Sequence, residues 1–347
     1  MKIGVLKGNG IGPEIVQAAQ YVVDACGLDI EWFNIPIAEE AIEVYGHPVP
    51  QESIAMLRDV KIALKGPISV EKKLGRVTCI HDDGSEHIYP SFNNAIRREL
   101  NLFVCMRPSR GVPGISGTHD KMDLVVMREL TEGVYSAIEH RIGNVAAECT
   151  NLVTREATER LARFSFEFAR KNNRKKVTCI HKANAISITD GFFLECFQDV
   201  AKEYPDIESD DYFVDATTVY LLKKPSMFDV IVTTNQYGDI LSDLCAGLTG
   251  SLGLGAGANI GLNGAVFEAA HGSAPDIAGK GIANPTSLIL SAALMLRHIG
   301  EEKSAKLVED CTRAVLTGRQ ILTADLGGNA STMQFADAVA KEIQRVK

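Results

Sequence analysis

Phe228-Asp229-Val230-Ile231-Val232-Thr233-Thr234-Asn235-Gln236-Tyr237-Gly238-Asp239-Ile240-Leu241-Ser242-Asp243 reads as a short buried strand, a turn at Tyr237-Gly238 and the opening of a helix. Asp239 and Asp243 stand four residues apart and so share a helix face. Two carboxylates on one face repel unless a cation sits between them, and α/β proteins gather ligands beyond the C-terminal ends of strands. The pair is either an oxygen site for a hard divalent cation, Mg2+ or Mn2+, or one acid favoured by the helix N-terminus beside one solvated acid. Spacing alone favours the second reading, because acid pairs on helices are common.

The same strand-then-helix rhythm extends in both directions. Lys2–Leu6, Val60–Leu64, Leu124–Met127, Lys176–Ile180 and Asp229–Thr233 read as strands. Pro13–Cys26, Glu156–Lys171 and Gly191–Glu203 read as helices. This alternation predicts an α/β fold with a largely parallel sheet. Two stretches break it. Val70–Pro90 is polar and rich in His, Asp and Gly, which predicts a long loop or hairpin. Gly133–Val153 lacks a helical period and alternates over Val145–Val153, which predicts a strand arm able to pair with a second subunit.

Composition narrows the function. The chain has 347 residues, 46% of them hydrophobic and 23% charged, as in a globular protein. Its net charge of −8 argues against a nucleic-acid partner. The apolar start is short and is interrupted by Lys7 and Asn9, so no signal peptide is expected. The mostly apolar run Leu288–Leu296 is far shorter than the roughly 20 residues a membrane span needs. Eight scattered cysteines without a CxxC pair predict reduced thiols in a cytoplasmic protein rather than a zinc site.

Four blocks, in order along nearly the whole chain, resemble the isocitrate/isopropylmalate dehydrogenase family, most nearly its NAD-dependent isocitrate members. They are Gly8-Asn9-Gly10-Ile11-Gly12-Pro13-Glu14, His181-Lys182 with Thr189-Asp190-Gly191, the opening stretch, and Glu268-Ala269-Ala270-His271-Gly272-Ser273-Ala274-Pro275-Asp276-Ile277-Ala278-Gly279-Lys280 with Ala283-Asn284-Pro285. The resemblance implies two α/β domains flanking a cleft, with a non-Rossmann NAD site. Residues 1–101 plus 250–347 would form the large cofactor-binding domain. Residues 102–249 would form the small domain, carrying the dimer interface and the arm at 133–153.

The resemblance also assigns roles. Arg97, Arg107 and Arg128 would hold substrate carboxylates, where guanidinium forks bind bidentately. Ser91 and Asn93 would meet the γ-carboxylate of isocitrate. Tyr135 and Lys182 would be catalytic. Asp239, Asp243 and, from a second subunit, Asp215 would bind Mg2+ or Mn2+, and Lys182 would also reach in from that subunit. Glu268, His271, Gly272, Ser273, Ala274, Asp276, Ile277, Asn284 and Asp325 would line the cofactor. Asp276 suits the ribose hydroxyls of NAD and repels a 2′-phosphate. The implied protein is a homodimer or higher homo-oligomer acting on a small 2-hydroxy acid, with no membrane or nucleic-acid partner.

The chain departs from the family pattern at several points. Leu130 stands where isocitrate enzymes usually have asparagine. Lys7 and Asn9 replace a proline and an aspartate, Ser187 replaces a basic residue, and Ile68-Ser69-Val70 lacks a threonine. Homoisocitrate, 3-isopropylmalate or a tartrate-like acid, or a role as a non-catalytic regulatory subunit, are the alternatives.

Overall fold

The computed structural model describes residues 1–69, 77–80, 83–89, 91–115 and 119–347. Its strands are β1 (Lys2–Leu6), β2 (Glu31–Asn34), β3 (Ile62–Lys65), β4 (Val77–Ile80), β5 (Glu86–Tyr89), β6 (Leu102–Arg110), β7 (Asp123–Glu129), β8 (Glu139–Ile142), β9 (Ala146–Cys149), β10 (Lys176–His181), β11 (Glu208–Phe213), β12 (Val230–Thr233), β13 (Ala256–Gly261) and β14 (Ala265–Ala269). Its α-helices are α1 (Gly12–Asp24), α2 (Glu39–Tyr45), α3 (Gln51–Val60), α4 (Phe92–Glu99), α5 (Arg155–Lys171), α6 (Thr189–Ala201), α7 (Val214–Lys223), α8 (Asn235–Leu248), α9 (Thr286–His298), α10 (Glu302–Gly318) and α11 (Thr332–Val346). Among the described residues no helix is long and apolar enough to cross a membrane.

Ten strands form one sheet in the order β11-β10-β12-β7-β6-β13-β14-β3-β1-β2. Both flanks are parallel, as expected for strands buried on both faces. The middle is not: β6 pairs antiparallel with β7 and β13, and β13 antiparallel with β14. The sheet is therefore mixed. Residues 102–249 supply the half ending at β6, and the β6–β13 ladder joins it to the strands from the rest of the chain.

Side chains alternate across these strands. Met106, Val125, Ala256, Ile260 and Phe267 join the larger core on one face. Cys105 and Val266 join a second core on the other. Arg107 hydrogen-bonds Cys105 and thus shares its face, where Glu268 also reaches Arg107.

Two local expectations change, and the long loop or hairpin expected at Val70–Pro90 is a hairpin where it is described. The strand expected at 60–64 begins at Ile62, because Val60 closes α3 and Lys61 turns the chain at φ 66°. Tyr237-Gly238 is no turn but lies inside α8, which already begins at Asn235. A Cβ on Gly238 would stand 2.6 Å from Cβ and Cγ of Arg128, so glycine is required there for packing. Within Val70–Pro90, β4 and β5 form an antiparallel hairpin, and residues 70–76, 81, 82 and 90 lie outside the described residues.

The loop after β1 is stitched to two others. Asn9 N donates to Pro67 O at 3.0 Å and Ile11 N to Ser273 O at 2.9 Å. Gly10 has φ +63°, and a Cβ on it would lie 2.0 Å from Ser273 O. Both backbone strain and a backbone clash oppose any side chain there. Gly10→Ala is expected to destabilise the protein by about 2 kcal/mol or more, read as a lowered urea midpoint; an unchanged midpoint would show that the two loops are not held together at this point.

Candidate active site

Charge is concentrated on one buried carboxylate. Glu268, in β14, is 6% exposed. Its Oε2 accepts from Lys65 Nζ at 2.6 Å and its Oε1 from Asn259 Nδ2 at 2.7 Å, with Arg97 and Arg107 each at 3.7 Å. Burial alone would push this carboxyl up, but Lys65, Arg97 and Arg107 together hold it well below the usual carboxylate range. Burial and the repulsion of Arg97 and Arg107 lower the affinity of Arg128 for its proton, and the strand register sets Arg128 opposite Cys105, to which Arg107 donates. Arg107 also keeps one buried nitrogen without a partner. Such a nest matches a ligand with more than one carboxylate. Lys65, not foreseen from the sequence, enters the site because β3 and β14 pair with Lys65 opposite Glu268.

Arg128 is fixed from behind. Asn235 Oδ1 accepts from its Nε at 3.1 Å and its Nη2 at 2.8 Å, while Asn235 Nδ2 donates to Glu132 O at 3.2 Å. The Nη1 of Arg128 donates to Asp239 Oδ1, and Asp239 Oδ2 accepts from the Tyr135 hydroxyl at 3.1 Å. Burial, reinforced by Asp239, raises the Tyr135 phenol above its ordinary value, so it remains a proton donor. Asp243 is raised by burial, relieved by Arg107 and reinforced by Asp239. That mutual repulsion, in a donor set made only of oxygen, fits a hard divalent cation.

Ser91 and Asn93 begin α4. The Ser91 hydroxyl caps this helix by accepting from Asn94 N at 3.2 Å. Asn93 Oδ1 is buried and without a partner. Asn94 Nδ2 donates to Tyr135 O at 3.1 Å and so ties this helix to the tyrosine loop.

Lys182 and Asp215 form their own pair. They follow the neighbouring parallel strands β10 and β11, and Lys182 Nζ meets Asp215 Oδ1 at 2.7 Å. The contact with Lys182 is the main influence lowering the Asp215 carboxyl. Among the described residues no hydrogen bond or ion pair joins this pair to Asp239 or Asp243, and no three acidic, His or Cys side chains are grouped to hold a metal. The segment expected as an arm is an exposed hairpin of β8 and β9, with Val145 89% exposed at its tip.

The segment expected to meet the cofactor lies around His271. Its Nδ1 is 3.0 Å from Gly272 O, while its buried Nε2 has no partner. Burial lowers its proton affinity, which favours the neutral ring. With Nδ1 donating, Nε2 is left as an acceptor, a fit for an amine such as that of adenine. Ser273 is buried and bonded through its carbonyl to Ile11, and Ala274 adopts φ 38°. Asp276 is exposed, and Ile277 packs against the larger core. Asn284 and Asp325 come together at 3.0 Å, and Asp325 also accepts from Ser251 at 2.9 Å and Thr323 at 2.6 Å. Glu268, expected beside the cofactor, has its carboxylate taken up by the lysine–arginine nest. Asn9, a departure from the family pattern, has a physical role: its amide donates to Ser69 O at 2.6 Å and accepts from Ser69 N at 2.8 Å. An aspartate could not make both bonds.

The isocitrate/isopropylmalate dehydrogenase family model matches residues 2–339. A 3-isopropylmalate dehydrogenase of Archaeoglobus fulgidus is 43% identical, over 98% of this chain and 98% of that one. Catalytic subunit 5 of the mitochondrial NAD isocitrate dehydrogenase of Arabidopsis thaliana is 40% identical, over 97% of this chain and 87% of that one. The crystal structure of isocitrate dehydrogenase from Methylococcus capsulatus superposes with a TM-score of 0.90 at 44% identity, covering 99% of both chains.

Glu132 supplies a clasp that sequence reading missed. Its carboxylate accepts from Thr154 N at 2.9 Å and Thr154 Oγ1 at 2.8 Å, closing the base of the arm. Burial pushes this carboxyl up to about 7 from an ordinary value of 4.5, against the lowering effect of Thr154. The folded protein thus prefers the protonated form. That contribution to stability is complete below about 4.5 and is lost as pH rises through about 7. Glu132→Gln is expected to flatten the fall in urea stability between about pH 5 and pH 7; an unaltered slope would mean that Glu132 does not titrate there.

Proposed function

This chain belongs to the isocitrate/isopropylmalate dehydrogenase family, and on that premise we propose that it converts isocitrate to 2-oxoglutarate and CO2 with NAD and Mg2+ or Mn2+, as a homodimer or larger assembly. It is an enzyme of the NAD-dependent decarboxylating dehydrogenase family. The choice of acid rests on Asn93. Its buried amide oxygen has no partner, and a branched alkyl group on the substrate would leave the amide unpaired at a cost of about 1–3 kcal/mol. Turned about its last bond, the amide offers its NH2 group to a carboxylate, and Ser91 adds a hydroxyl. Leu130 supports the second reading, 3-isopropylmalate: it is buried in the apolar cluster that contains Phe92 and Ile96.

Asp239 and Asp243, with Asp215 from a second copy, would hold the divalent ion, and His271, Asp276, Asn284 and Asp325 would face the adenosine half of NAD. When bound, the cation supplies Lewis-acid polarisation at the C2 oxygen and NAD supplies the hydride acceptor. Arg97, Arg107 and Arg128 hold the carboxylates so that the one leaving from C3 stays aligned. Lys182 from the second copy, as the neutral amine and with Asp215 beside it, would help remove the C2 hydroxyl proton. Tyr135 delivers its phenolic proton to C3 once CO2 has left. Convergence of the three arginines on Glu268 and on Asp239 supports a catalytic chain over a regulatory subunit.

In Mn2+-dependent NADH assays, isocitrate is expected to exceed homoisocitrate, 3-isopropylmalate, malate and tartrate by at least about tenfold in kcat/KM, and NAD to exceed NADP similarly. Highest kcat/KM with 3-isopropylmalate would transfer the assignment to the second reading. Tyr135→Phe is expected to lower overall turnover by about 10²-fold or more while sparing the first burst of NAD reduction. Undiminished turnover would remove Tyr135 from the proton-transfer step.

A further inference from the structure

The faces of β6, β13 and β14 opposite the arginine nest line a separate cavity of about 860 Å³. Met106, Ala256, Ile260 and Phe267 form its floor, while α5, α9 and α10 wall it with Phe164, Phe168, Leu290, Leu294 and Leu316. A space of this size, apolar with a few charged groups at its edge, has the character of a small-molecule site.

The charges at its edge are not balanced. Each acid there already has a basic partner: Glu302 and Glu309 pair with Arg297 at 2.9 and 2.7 Å, Asp310 with Lys306 at 2.7 Å, and Glu167 with Arg170 at 3.4 Å. Arg110 and Arg174 are engaged by Asp123 at 3.2 and 2.5 Å. Lys171 and Arg313 also line the cavity, and among the described residues neither has an ion-pair partner. Arg313 donates to Gly111 O at 3.1 Å. Thr312, on the same wall, is fully buried and keeps a hydroxyl without a partner. The unpaired charge is therefore cationic, beside an apolar chamber.

We propose that this cavity is a second binding site, distinct from the catalytic one, for an amphipathic monocarboxylate: an apolar body lying against Phe164, Phe168 and Leu290, with its carboxylate drawn to the unpaired charge that Lys171 and Arg313 leave at the edge. Dicarboxylic and tricarboxylic acids would have to bury their further charges among these apolar walls, so this class differs from the substrate of the nest. The site shares strands with the catalytic one. Met106 and Phe267 face the cavity, and their chain neighbours Arg107 and Glu268 face the nest.

Isothermal titration of the whole protein with octanoate, and with octan-1-ol as its uncharged counterpart, tests this. Saturable binding of one octanoate per chain is expected, at least about tenfold tighter than octan-1-ol, in keeping with a charge-assisted contact. Lys171→Gln with Arg313→Gln is expected to remove that preference and leave octan-1-ol binding unchanged. Leu290→Trp should fill the chamber and abolish both, and Leu294→Phe serves the same purpose if the first variant fails to fold. No saturable binding, equal affinity for acid and alcohol, or binding that survives the filling substitution in a folded variant would each overturn the proposal.

Discussion

A carboxylate almost sealed from water, that of Glu268, is what allows Lys65, Arg97 and Arg107 to sit together. Three cations from β3, α4 and β6 would otherwise repel at close range in a medium that screens poorly. Removing one partner from such a buried group leaves an uncompensated charge, at a cost of about 3–5 kcal/mol. On the proposed function, stability and substrate recognition would draw on the same contacts: the nest would have to stay partly unsatisfied to hold an anionic substrate, yet neutral enough to fold without one.

The antiparallel centre of the sheet makes this arrangement possible. Through β13, the strands of residues 102–249 meet those of the rest of the chain. Alternation along β6 and β14 then directs Arg107 and Glu268 to one side, Met106 and Phe267 to the other. A shift of one residue in this register would exchange the charged face for the apolar one, so the pairing must be strongly specified. Serine hydroxyls reinforce the neighbouring strands: Ser291 accepts from Gly257 N at 3.1 Å and donates to Glu268 O at 2.8 Å.

The elements that were legible in the sequence are those whose signal is local. Val230–Thr233 is a continuous apolar run, and Asp239 and Asp243 lie one helical turn apart whatever surrounds them. Strand direction has no such local signature, so the antiparallel centre was not foreseen. The site residues that were missed depend on long-range pairing. Lys65 lies 203 positions from Glu268, and Asn235 lies 107 from the Arg128 it braces. Gly238 misled for a related reason: glycine beside tyrosine suggests a turn, whereas here it makes room for a side chain from another strand. The expected roles of Arg97, Arg107 and Tyr135 came from resemblance, and no spacing rule would have brought them together.

One further link follows from these contacts. Asn235 joins Arg128 to the backbone of Glu132, and the Glu132 carboxylate holds Thr154. Thr154 caps α5 by accepting from Ala157 N at 3.3 Å. The arm leaves the fold just after Glu132 and returns just before Thr154, so a single clasp fixes both of its ends. Tyr135 is the third residue beyond that clasp, and its position relative to Asp239 depends on the same closure. Displacement of the arm would therefore reach Arg128 and Tyr135 together, through a chain of hydrogen bonds with one buried acid at its middle. One hydrogen-bonded chain thus joins the base of the hairpin at 133–153 to Arg128 and, through Asp239, to Tyr135, with Glu132 at its middle.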